Sequence, residues 1–156
     1  RILRFEEILR KFSCHTIMNI HLKSLQDRPW NDAHVKKVVD LIDAFDARGH
    51  VYFMTENDVL QAQLARLAPG IPRCMGHDHR RPGEIVERAI ASGCQMVQFF
   101  RPHVDRAAVE RAHAAGLRCN LFSANDPSEA ERYFAMGIDT VLADDYLTVS
   151  SATGVR

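Results

Sequence analysis

The chain has 156 residues, 46% hydrophobic and 26% charged, a size and composition that suit one globular domain with a substantial core. Lys and Arg number 20 and Asp and Glu 20, for a formal net charge of +0, which argues against the broad basic footprint of a nucleic-acid or polyanion binder. No apolar run is long enough to span a bilayer and no signal or transit segment is visible.

The elements follow one another with a regular rhythm. An opening helix over Phe5 to Lys11 precedes a first strand near His15 to Lys23. After Asn31 or Asp32 as a cap, Val35, Val38, Val39, Ile42 and Phe45 fall at i, i+3, i+4, i+7 and i+10, one apolar helical stripe. Further strands are expected near His50 to Thr55, Ile71 to Gly76, Cys94 to Phe100, Leu117 to Ser123 and Ile138 to Ala143. Gly49, Gly93, Gly116 and Gly137 each stand between a helical pattern and a strand, where glycine closes a helix in the left-handed conformation. Asp126, Pro127 and Glu129 fit N-cap, N1 and N3 of another helix.

Most of these strands are apolar on both faces, as parallel strands covered by helices are. Alternation of strand and helix therefore predicts an α/β fold with a parallel sheet. No G-x-G-x-x-G follows the first strand, so a doubly wound nucleotide-binding sheet lacks its main sign. A (β/α)8 barrel keeps the same alternation but typically takes roughly 200 to 250 residues. About six parallel strands with outer helices thus read as a TIM-barrel type repeat, incomplete.

The four cysteines, Cys14, Cys74, Cys94 and Cys119, are widely spaced with no CxxC pair, and read as reduced thiols of a cytoplasmic protein. The chain opens on Arg1 rather than Met, so its natural start is expected to lie upstream.

The first strand carries the least ordinary pattern. In "NIHLK" the side chains of Asn19, His21 and Lys23 share one face and those of Ile20 and Leu22 the other. A barrel would turn the polar set inward and bring Lys23 nearest the C-terminal mouth, where active sites lie.

These residues resemble the glycerophosphodiester phosphodiesterase family of metal-dependent TIM-barrel enzymes. "RFEEILRKF" is similar to the helix after its PTLEEVL segment and "NIHLK" to its N-I-E-[IL]-K strand. "GLRCNLFSANDPSEAERYFAMGIDTVLADDY" is similar to the family's ending, with W-T-x-N-D, E-A-x-R and G-V-D-x-I-x-T-D. The resemblance runs from Phe5 to about Tyr146. It implies that residues 1–146 are a partial barrel of this kind, followed by a tail over 147–156. The family's HRG, acidic and H-D motifs would lie before Arg1. The Glu of N-I-E-[IL]-K, a metal ligand in the family, is His21 here, its Lys is Lys23, and the Trp of the late strand is Phe122.

The resemblance implies a hydrolase of lipid-derived glycerophosphodiesters that releases glycerol 3-phosphate and an alcohol with the help of a divalent cation, magnesium or calcium. Lys23 would be the catalytic cation on the phosphate, His21 a metal contact and Phe122 a substrate contact. The 156 residues alone are expected to be inactive, and open barrel edges invite a homo-oligomer. The competing reading is a non-catalytic, truncated barrel that serves as a binding or interaction module. A third is a different phosphate-handling barrel.

Other polar residues follow strands: Glu56 and Asn57; His77, Asp78 and His79; Arg101 and His103; Asn125 and Asp126; Asp144 and Asp145. Such loop residues are common without a function, and Asp126 reads as a cap. His77-Asp78 repeats the letters of the H-D motif but follows a much later strand, so that role does not carry over. Neighbouring histidines on an irregular loop rarely converge on one ion. Phe99 and Phe100 read as core.

Overall fold

The computed structural model describes residues 1–24 and 28–153, with side chains to 151. The chain divides into two compact units, Arg1–Cys74 and Met75–Arg156.

In the first unit, α1 (Phe5–Phe12), β1 (Met18–His21), α2 (Asp32–Ala44), β2 (Val51–Thr55) and α3 (Asp58–Leu67) lead to β3 (Arg73–Met75), whose last residue opens the second unit. The second unit continues with α4 (Ile85–Ala91), β4 (Met96–Phe100), α5 (Arg106–Ala114), β5 (Arg118–Phe122), α6 (Pro127–Met136), β6 (Thr140–Leu142) and α7 (Tyr146–Thr153). In each unit strand order follows chain order, β1-β2-β3 and β4-β5-β6. The β1–β2, β4–β5 and β5–β6 pairs are parallel. All six expected strands form, on shorter bounds, and six parallel strands joined by helices are the repeat of a TIM-type barrel. The expected tail overlaps α7; residues 154–156 of it lie outside the described residues.

Each unit has its own core. Leu9, Leu22, Val35, Val39, Ile42, Phe53, Leu60 and Leu64 are buried together in the first. Val86, Val97, Phe99, Val109, Leu121 and Ala130 belong to the second. The stripe read on α2 is the buried one: Val35, Val39 and Ile42 face inward and Val38 and Phe45 pack at its margin. In β1 and just past it, Met18, Ile20 and Leu22 join the core, and the Leu22 amide still bonds Met54 O at 2.9 Å, so the opposite face belongs to Asn19 and His21, with Lys23 next in that alternation.

Capping residues set the helix starts and hence the strand ends. Asn31 accepts from the His34 amide at 2.9 Å, Asn57 from that of Leu60 at 3.0 Å and Asp126 from that of Glu129 at 3.1 Å. Each satisfies an amide that the helix leaves orphaned. Gly137 ends α6 at φ 109°, where an added Cβ would come within 3.1 Å of Val109 Cγ1. Gly49 departs from expectation. It lies in a 3-10 turn, Arg48–His50, and the left-handed residue after α2 is Asp46 at φ 49°, a residue type that tolerates this conformation.

Gln61 on α3 is fully buried and donates from Nε2 to Thr55 O at 3.0 Å and Cys74 O at 2.8 Å. One amide group thus ties the ends of β2 and β3. None of the four cysteines is in a disulfide, and all but Cys14 are buried.

Candidate active site

Side chains with chemistry gather just past the strands of each unit. In the first unit, His21 closes β1 and its Nε2 lies 3.6 Å from Glu56 Oε2, which follows β2. The imidazole holds the Glu56 carboxyl below its usual range, against the partial burial that raises it, and Glu56 and Ser24 amides add to the lowering. A carboxylate held towards its ionised form beside an imidazole therefore occupies this end of the unit.

Lys23 lies two residues beyond β1 and its side chain is exposed. Its carbonyl accepts from Trp30 Nε1 at 3.0 Å, which fixes the backbone at that point. Its ammonium has no hydrogen bond or ion pair among the described residues. A positioned backbone carrying an uncommitted cation is what recognition of a phosphoryl group needs.

In the second unit, Phe122 ends β5 opposite Phe100 of β4. It is 47% exposed, and the two rings stack with centroids 6.2 Å apart. Phe99, by contrast, is in the core at 2% exposure. Phe100 also packs against His77 at 5.3 Å and His79 at 4.9 Å.

Asp78 is 4% exposed and salt-bridged by Arg80 and Arg81 at 3.1 and 3.2 Å. Hydrogen bonds from these two arginines, and from the Arg80 amide, hold its carboxyl far below the usual range against burial. Asp78 is therefore an anchor for its loop. His77 is also lowered, which for an imidazole favours the neutral form: burial, helped by His79 and His103, pushes it down to about 4, opposed by Asp78.

The remaining loop residues are spent locally. Asn125 and Asp144 bond each other twice, at 2.7 and 2.8 Å. Asp145 accepts from the Thr148 amide at 3.1 Å and its hydroxyl at 2.6 Å, and Arg101 pairs with Glu129 at 3.1 Å.

The glycerophosphoryl diester phosphodiesterase family matches residues 1–148 of this chain. The chain belongs to that family. It superposes with a TM-score of 0.84 on a Silicibacter pomeroyi DSS-3 protein assigned as a glycerophosphoryl diester phosphodiesterase, at 18% identity, covering 96% of this chain and 55% of that one. For a Parabacteroides distasonis glycerophosphodiester phosphodiesterase the TM-score is 0.81 at 15% identity, over 96% of this chain and 63% of the other. For an Oleispira antarctica phosphodiesterase, solved with the product sn-glycerol-3-phosphate, it is 0.77 at 21%, over 95% and 58%. At such identities the likeness is one of fold. The chain spans between 55% and 63% of the length of these three structures. No curated protein matches it.

The family is generally dependent on a divalent metal. Magnesium and calcium favour roughly six to eight oxygen ligands. Among the described residues at this strand end, the Glu56 carboxylate is already engaged by the His21 imidazole. That pair by itself does not make a hard-cation site, and imidazole suits transition metals better.

Sequence reading did not single out the His21–Glu56 pair. Its only trace is that each residue ends a neighbouring parallel strand, and the register that brings them level, His21 opposite Met54, is a tertiary fact.

Proposed function

We propose that the full-length protein hydrolyses glycerophosphodiesters, releasing glycerol 3-phosphate and an alcohol, and that Lys23 is the cation that meets the phosphate. The observation that carries this is the place of Lys23 in a member of this family: past the end of β1, on the face of Asn19 and His21, with its ammonium uncommitted among the described residues. Hydrolysis of a phosphodiester gathers negative charge on the non-bridging oxygens, and a fixed ammonium lowers the cost of that charge.

His21 stands where the resemblance places a metal-binding Glu. Its imidazole instead orients and ionises Glu56 from the following strand end. Phe122 offers an exposed aromatic face for the apolar part of a substrate. Among the described residues, the His21–Glu56 pair does not by itself supply the oxygen ligands that magnesium or calcium takes.

The test is turnover of glycerophosphocholine by the full-length protein with magnesium, calcium or manganese, since the 156 residues alone are expected to be inactive. K23A should lower kcat by at least about 100-fold, the scale of removing one group that stabilises developing charge. Equal turnover by K23A and the parent would refute the role of Lys23. No turnover from a folded sample with any of these ions would refute the enzymatic reading.

A binding module without catalysis is the second reading, favoured by the His21–Glu56 pair in place of a carboxylate ligand set. It predicts binding of glycerol 3-phosphate without hydrolysis of the diester.

A further inference from the structure

His77, His79 and His103 present ring nitrogens that all lie within 4.8 Å of one another. His77 and His79 flank the anchored Asp78, which is buried while His77 is half-buried and His79 exposed. Because Asp78 is held by Arg80 and Arg81, the loop has a fixed point between the two rings. His103 arrives from the 3-10 turn that follows β4, and its ring stacks on that of His77 at 5.1 Å and 10°. The convergence is thus built by an anchored loop and a neighbouring strand end, which is why the expectation that loop histidines scatter does not hold here.

We propose that His77, His79 and His103 bind one borderline transition-metal ion of the zinc class, with a fourth position left to water or an anionic oxygen ligand. A Zn–N length of about 2.0–2.1 Å places tetrahedral ligand nitrogens about 3.4 Å apart. Closing from 4.8 Å is a matter of side-chain rotation, and His79 and His103 are both exposed. Neither makes a hydrogen bond among the described residues. His77 Nε2 is buried and likewise without a partner, a cost that ligation would remove. Phe100 walls two of the rings and screens the ion from competing water.

The second group of potential ligands among the described residues, His113, Cys119 and Asp139, serves as a contrast. Burial and Asp139 push the Cys119 thiol up to about 12. Asp139 Oδ2 already meets the Cys119 amide at 2.7 Å and His113 Nε2 at 3.1 Å. That cluster is a closed structural link between α5, β5 and β6.

The experiment is titration of the chelator-treated protein with cobalt(II), followed by zinc(II) competition, read by visible absorption and calorimetry. One ion per chain is expected, with the intense bands of a four-coordinate centre. Outer-shell losses already cost roughly 10–100-fold in metal affinity, so H79A and H103A should each weaken binding by at least about 100-fold. Both replace exposed side chains, and circular dichroism should remain that of the parent. H15A, which removes an exposed histidine of the other unit, should bind as the parent does. Binding that survives H79A and H103A, or no binding of either ion at micromolar concentration, would overturn the proposal. The readout is metal occupancy, so failure of the phosphodiesterase reading leaves this result intact, and the reverse.

Discussion

Each unit places a carboxylate and imidazole close together just past a parallel strand, yet the two sites are chemically different. In the first, His21 and Glu56 answer each other at 3.6 Å, and the imidazole serves the carboxylate. In the second, arginines claim Asp78 entirely, so the adjacent histidines keep their nitrogens uncommitted among the described residues. What an imidazole can do at a strand end is decided by which cation its neighbouring carboxylate has already taken.

The largest effects with which to probe this comparison lie beneath the sites. Phe53 and Phe99 are buried core residues of the first and second units. F53A and F99A should each cost about 3–5 kcal/mol of stability, measured by urea unfolding. Hydrogen exchange should show the loss of protection beginning in the mutated unit. Similar early loss across both units from either variant would erase the distinction between them.

Next comes the Asp78 anchor. Hydrogen bonds to a charged group are worth roughly 1.5–3 kcal/mol, and D78N should lose about that much at neutral pH. The folded carboxyl is depressed, so its contribution is fully present above the unfolded value and is lost as pH falls towards the folded one. Stability of the parent should therefore fall with acidification below about pH 4, and D78N should flatten that part of the curve. Parallel curves would show that the arginines do not hold Asp78 as described.

The smallest expected effect is at the helix starts. N31A in the first unit and D126A in the second should each cost about 1 kcal/mol, seen as a modest shift in the unfolding midpoint with activity unaffected by N31A.

These caps were legible from sequence, as were the helix stripe of α2, all six strands and their order, because each rests on local spacing. The family was legible from "NIHLK" and the "SANDPSEAERYFAMGIDTVLADDY" run. Gly49 misled because Asp46 adopts the left-handed conformation first. The Gln61 tie and the meeting of His103 with His77 and His79 were not legible. Both depend on strand ends brought level by sheet register, which leaves no mark on sequence spacing. Phe122 stood out only through the resemblance, and its exposure and stacking on Phe100 are what the structure adds.

Lys23 is the residue on which the functional account rests, and binding of sn-glycerol 3-phosphate tests it most directly. Calorimetry with the parent and K23A should show binding by the parent that K23A weakens by at least about tenfold, the consequence of losing a charge-assisted contact of roughly 1.5–3 kcal/mol. Equal affinity in the two proteins would contradict the account.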